Sequence, residues 1–162
     1  MDTLRASWRM QYIANSSAKN DDSCIFCAYP KGNNDRENLL LYRGTSCYVL
    51  MNRYPYSPGH LMVIPYRHVA DFLLLTPEEN LEILSVAQKA VAALQCCMNP
   101  DGYNLGMNLG RSAGAGIDKH LHLHVVPRWS GDTNFMTVTA ETRVLPEALE
   151  QTYDKVLAAW IT

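Results

Sequence analysis

Three histidines alternate with two leucines in one run, His120-Leu121-His122-Leu123-His124, and Val125-Val126-Pro127-Arg128-Trp129 follow directly. Strict alternation is the period of a β-strand, so the imidazoles are expected on one face and the leucines on the other. Same-face neighbours along a strand lie about 6.6–7 Å apart. The whole chain has 5 histidines, and three of them in a row on rigid backbone mark this face as the place for chemistry. Two kinds of chemistry suit it. Alternate strand histidines can ligate Zn²⁺, with a further ligand completing a catalytic site. Equally, a neutral imidazole can attack phosphorus when its other nitrogen donates to a fixed acceptor, while neighbouring rings stabilise charge and shuttle protons.

The surroundings favour phosphorus. The small-residue loop Ser112-Ala113-Gly114-Ala115-Gly116 ends four residues before His120, and such a loop lets backbone N–H groups approach an anion closely. No Asp or Glu sits at metal-motif spacing within the histidine run itself.

The elements that must position this run are legible from patterning. Strand-like runs at Leu39–Arg43, Ser46–Asn52 and His60–Pro65 are separated by turn signals at Gly44 and across Tyr54-Pro55-Tyr56-Ser57-Pro58-Gly59. Pro77 to Cys97 reads as a long helix, with Thr76 and Glu79 forming a capping box and Pro77 in the first turn. Leu81, Leu84, Ala87, Val91 and Leu94 are its expected buried stripe. Strands at Tyr103–Leu109 and Leu121–Pro127 follow, then a further strand at Phe135–Thr139 and a closing amphipathic helix at Leu145–Trp160. Consecutive strands with short turns around one long helix imply an α+β domain with a largely antiparallel sheet.

At 162 residues, with 48% apolar and 19% charged residues, the chain suits one domain with a real core. Residues 14–23 are small and polar, so 1–23 reads as an N-terminal arm and 24–162 as the domain. Trp8, Met10, Tyr12 and Ile13 give the arm an apolar patch that docks on the body or on a partner subunit. A net charge of −2 provides no field for nucleic acid or a membrane surface, so neither is an expected partner. No stretch approaches the ~20 apolar residues of a membrane span, and the start lacks a signal peptide. Five cysteines, an odd count that includes the adjacent Cys96-Cys97 pair, fit reduced thiols and a cytoplasmic protein.

The run His120-Leu121-His122-Leu123-His124-Val125-Val126 resembles the signature of the histidine triad (HIT) superfamily of nucleotidyl hydrolases and transferases. Asn52-Arg53-Tyr54-Pro55-Tyr56-Ser57-Pro58-Gly59-His60-Leu61-Met62-Val63-Ile64-Pro65 resembles the family's upstream segment. The Trp8-Arg9-Met10 start and the Pro127–Phe135 tail look most like the branch containing diadenosine tetraphosphate phosphorylases and hydrolases. The resemblance implies a HIT-like fold: a mainly antiparallel five-stranded sheet with one long helix and a C-terminal helix. It implies cleavage of dinucleoside polyphosphates at the α-phosphorus through a nucleotidyl-histidine. His122 would attack, His124 would assist the leaving group, and His120 would orient its neighbour or serve structure. Asn52 matches a ribose contact and Asn108 a polar position at the phosphate site, with Val49 and Met51 flanking the base. A homodimer is also implied, and the chemistry itself is expected to need no cofactor.

Two features stand beside that pattern. Many members carry Gln-Ser or Gln-Thr just before the triad, whereas this chain has Ala115-Gly116-Ile117-Asp118-Lys119. Phosphate binding then falls to backbone amides around Gly114 and Gly116, to Ser112 or to Lys119, and a roomier pocket admits inorganic phosphate as acceptor. The second is Cys24-Ile25-Phe26-Cys27, half a zinc site or a redox pair. Similar bacterial proteins complete it with two histidines, which here implies structural Zn²⁺ on Cys24, Cys27, His68 and His120. Two other readings remain open at this point: a zinc-dependent hydrolase using the triad as ligands, and a nucleotide-binding sensor without turnover.

Overall fold

The three strand-like runs in the first half of the chain form consecutive antiparallel strands, because short turns leave each pair no other way to bond. A computed structural model describes residues 24–132 and 147–160. The expected arm at 1–23 and the strand at Phe135–Thr139 lie outside the described residues. Two short helices, α1 (Ile25–Ala28) and α2 (Asp35–Asn38), precede β1 (Leu40–Arg43), β2 (Cys47–Met51) and β3 (Leu61–Pro65). Then come α3 (Pro77–Met98), β4 (Gly102–Gly106), β5 (Leu123–Arg128) and α4 (Leu149–Trp160). The sheet has five strands in the order β1-β2-β3-β5-β4, and every pairing is antiparallel. This is the expected α+β architecture.

The sheet buries both faces. On one side Val49, Met51, Val63, Leu121, Leu123 and Val125 pack with Ile83, Ala87, Ala90 and Leu94 of α3 and Tyr153 of α4. On the other, Phe26 of α1 packs with Leu40, Tyr48, Leu50, Met62 and Ile64. Burial on both faces explains why β2 and β3 are apolar throughout instead of alternating. The Tyr48 hydroxyl donates to the Phe26 carbonyl at 2.8 Å, so α1 is tied to the sheet. The Tyr153 hydroxyl does the same for α4, donating to the Leu40 carbonyl at 2.9 Å.

The capping box of α3 is present: the Glu79 N–H donates to Thr76 Oγ1 at 3.2 Å, and the Thr76 N–H to Glu79 Oε2 at 2.9 Å. The expected buried stripe needs correcting, however. Leu81 and Leu84 are 70% and 59% exposed, and the sheet-facing residues are Ile83, Val86, Ala87, Ala90, Ala93 and Leu94. The helix is apolar on more than one side, so periodicity alone permits two rotations. Glu82 selects between them by accepting the Thr45 and Ser46 N–H groups of the β1–β2 turn, both at 2.6 Å. The expectation that no stretch is apolar enough for a membrane span is also corrected: by length and composition α3 qualifies. Its buried face lies against the sheet, which accounts for its apolarity.

Two strands differ in extent from the patterning. β4 ends at Gly106, not Leu109, because its last ladder partner is His124. β5 begins at Leu123, since its pairing with β3 ends at Val63, and the Leu121 N–H donates instead to the Val69 carbonyl at 2.8 Å. α4 begins at Leu149.

The turn between β2 and β3 positions His60. Ser57 Oγ donates to the Pro127 carbonyl at 2.7 Å, pinning the turn to β5. Gly59 has φ +76, and a Cβ there would lie 2.8 Å from Met98 Sδ and 2.9 Å from Leu94 Cδ2. Gly59→Ala combines a left-handed backbone with overpacking, so a loss on the order of 1–3 kcal/mol is expected. Urea unfolding of the variant measures it, and an unchanged midpoint would refute this account of the turn.

Candidate active site

The leucines of the histidine run and Val125 enter the core beneath α3, while the Phe26 ring on the other face of the sheet lies against His120 and His122. The expected single strand is corrected, because of the three histidines only His124 lies within β5. His120, His122 and His124 are 1%, 6% and 8% exposed. They do not converge on a single point, and each ring is held by different partners.

His122 Nδ1–H donates to the His120 carbonyl at 2.9 Å. A carbonyl oxygen only accepts, so the proton of the neutral ring sits on Nδ1 and the Nε2 lone pair is bare. The ring lines a cavity of about 240 Å³. Burial pushes its pKa below the ordinary imidazole value, partly opposed by that hydrogen bond, which keeps the ring neutral and nucleophilic near pH 7.

A relay fixes His124 the other way round. Asn52 Oδ1 accepts the Tyr54 N–H at 3.0 Å, so its Nδ2 is the group facing His60 Nδ1, at 3.2 Å. The Tyr56 N–H also donates to His60 Nδ1, at 3.1 Å. His60 therefore carries its proton on Nε2 and donates to His124 Nδ1 at 2.9 Å. The neutral His124 ring is left with its proton on Nε2. Its ring centroid is 4.7 Å from that of His122. A ring with a bare nitrogen and a ring with a protonated one are thus neighbours, which suits attack and a hydrogen bond to the leaving group.

His120 faces elsewhere. Its Nε2–H donates to the Pro65 carbonyl at 2.9 Å, leaving Nδ1 bare, 3.3 Å from Cys24 Sγ and 3.6 Å from Cys27 Sγ. His68 Nδ1 lies 3.3 Å from Cys27 Sγ. The four donor atoms of Cys24, Cys27, His68 and His120 all lie within 4.8 Å of one another. Burial and the neighbouring Cys24 push the Cys27 thiol up to about 11, and burial takes His120 down to about 4. Phe26, between the two cysteines, sets its ring 5.6 Å from that of His120 and 5.1 Å from that of His122.

The cavity wall beside His122 is apolar, formed by Ile25, Phe26, Leu50, Met51 and Met62, with Asn52, Asn108, Gly114 and Gly116 on its polar side. Of the two residues that the resemblance put beside the base, Met51 reaches the cavity lining while also packing in the core. Val49 does not, because its position in β2 turns it into the core beneath α3, and Leu50 stands in its place. Gly110 and Gly114 adopt φ +79 and +88, folding the loop so that Gly114 and Gly116 reach the cavity. Arg111 closes the loop on Asp118 at 2.7 Å. Ser112 and Lys119 are exposed and stand outside the cavity lining.

Comparison with known proteins identifies the family. The family model described as the HIT domain matches residues 33–131. This chain belongs to the HIT domain family. It is 41% identical to the AP-4-A phosphorylase of Mycobacterium tuberculosis, over 98% of this chain and 86% of that protein. A zinc-bound histidine triad family protein from Mycobacterium smegmatis superposes with a TM-score of 0.70 at 29% identity, covering 88% of this chain and 96% of that one. A HIT family protein from Bacillus anthracis gives a TM-score of 0.62 at 34% identity, covering 69% and 77%.

Sequence reasoning placed the HIT triad but gave His60 and Tyr56 no role. The available signal was position: His60 stands next to β3, where Met62 pairs with His124, and it is fully buried. Tyr56 stacks on it with centroids 4.7 Å apart. The hydrogen bonds make a direct prediction. Long-range ¹H–¹⁵N spectra at pH 6.5 should show His122 as the neutral Nδ1–H form and His60 as Nε2–H. A His122 ring that is half protonated there, like a free imidazole, would contradict the effect of its burial.

Proposed function

We propose that this HIT protein cleaves dinucleoside polyphosphates of the diadenosine tetraphosphate kind at the α-phosphorus, with inorganic phosphate as acceptor. The observation that carries the reading is the bare Nε2 of His122, held toward the cavity by the Nδ1–H bond to the His120 carbonyl. In the first step the Nε2 lone pair forms a bond to phosphorus. The bridging P–O bond breaks, and its electron pair leaves on the nucleoside triphosphate oxygen, which departs as the anion and accepts a hydrogen bond from His124 Nε2–H. In the second step a phosphate oxygen attacks the phosphoramidate, the P–N bond breaks, and a nucleoside diphosphate departs. The name of the Mycobacterium tuberculosis relative supports phosphate over water, as does a glycine-lined wall at Gly114 and Gly116 in place of a Gln-Ser pair. A zinc hydrolase using the whole triad fits less well, because both nitrogens of His120 face other groups.

We further propose that Cys24, Cys27, His68 and His120 hold structural Zn²⁺. Tetrahedral bonds of about 2.3 Å to sulfur and 2.0–2.1 Å to nitrogen put neighbouring ligand atoms about 3.5 Å apart, close to the 3.3 and 3.6 Å separations of His120 from the thiols. Such an ion would hold both sulfurs as thiolates and tie the start of the α1 segment to the loops after β3 and before β5. Five free cysteines support a reduced, cytoplasmic setting. A homodimer is proposed with β4 as the joining edge, where Leu105 is 50% exposed.

Incubation of the protein with diadenosine tetraphosphate should give ATP plus ADP only when phosphate is present. Equal turnover without phosphate, yielding ATP plus AMP, would make it a hydrolase. His122→Ala should lose roughly three orders of magnitude or more in rate and form no nucleotidyl adduct; normal activity in that variant would overturn the mechanism. For the metal, purified protein should carry close to one zinc per chain by elemental analysis. Cys24→Ser should abolish that content and lower the melting temperature, while a zinc-free protein of unchanged stability would exclude the site.

A further inference from the structure

We propose that the groove between β4 and β5, beyond His124, is the binding site for the departing nucleoside polyphosphate. This rests on the reading of His122 as nucleophile and His124 as hydrogen-bond donor to the leaving group. The cavity beside His122 is about 240 Å³, below the range of roughly 300–1,000 Å³ usual for drug-sized ligands. A dinucleoside polyphosphate is too large for it, so part of that substrate must lie outside. A second cavity of about 300 Å³ opens on the other side of His124. Tyr56, Asn108 and His124 line both cavities, so the two meet at His124.

The lining of this groove suits phosphate. His124, Val126 and Arg128 alternate along β5 and so share a face, with Gly106 opposite His124 and Asn104 opposite Val126 on β4. Arg128 lies two such steps from His124, about 13–14 Å along the strand, on the side away from His122. Asp132 holds its guanidinium through Nε and Nη2 at 2.5 and 2.8 Å, and Nη1 donates to Asn104 Oδ1 at 2.9 Å. Those contacts use three of the five N–H bonds of arginine. Two remain for phosphate oxygens among the described residues, on a planar group already fixed in place. The Asp132 bond also raises the Arg128 pKa, so the cation persists at any working pH. Gly106 keeps the passage open: a Cβ there would meet nothing within 4 Å among the described residues.

That open space supplies a test that leaves the fold alone. Gly106→Leu fills the groove beside His124, and Arg128→Gln removes the charge. Each is to be assayed on diadenosine tetraphosphate and on adenosine 5′-(p-nitrophenyl phosphate), which transfers the same nucleotide but releases a small phenolate. Both variants should lose about tenfold or more in kcat/KM on the first substrate and stay within about twofold of the native protein on the second. Equal losses on the two substrates, or no loss on either, would overturn the groove assignment. Calorimetry with ATP and AMP keeps the proposal separate from the catalytic reading. Arg128→Gln should weaken ATP binding about tenfold and leave AMP binding alone, even if the native protein turns over neither substrate. ATP and AMP affinities that respond alike would refute the proposal without bearing on His122.

Discussion

The arrangement depends on one hydrogen bond between residues two apart, from His122 Nδ1–H to the His120 carbonyl. An isolated neutral imidazole exchanges its proton between two nitrogens, and only one of the two forms presents a lone pair to the cavity. Backbone carbonyl chemistry removes the choice, since the oxygen has no proton to give. Burial adds to the effect by disfavouring the charged ring, which would have no lone pair at all. His124 is set the opposite way through a chain beginning at the Asn52 amide and passing through His60. Two rings of identical chemistry thereby acquire complementary states from their neighbours.

His120 links this site to a second one. Its carbonyl holds the His122 proton, its Nε2 bonds Pro65, and its Nδ1 faces two cysteines. Phe26 sits within the Cys-x-x-Cys segment and touches both His120 and His122. Any group that organises the thiols would also brace α1, which supplies part of the apolar cavity wall. The row of three histidines is therefore better described as two sites that share a residue and its backbone.

Legibility followed the range of the interactions. The capping box of α3 joins residues three apart, and the β2–β3 turn is local, so both could be read from the chain. The rotation of α3 could not, because it depends on Glu82 meeting the β1–β2 turn 36 and 37 residues away. Likewise Val49 and Leu50 are equally apolar neighbours, and only the packing of α1 on one sheet face and α3 on the other assigns Leu50 to the cavity.

Patterning along the chain by itself determined that the fold would be α+β with an antiparallel sheet, and the alternation of the histidine run set its imidazoles apart from its two leucines. These follow from backbone period and turn chemistry, which act within a few residues. Which nitrogen of His60, of His120 and of His124 holds its proton was decided only by the tertiary structure. So were the part played by His60 and the second groove behind His124. Each depends on groups from different strands meeting at hydrogen-bond distance, and spacing along the chain carries no record of such meetings.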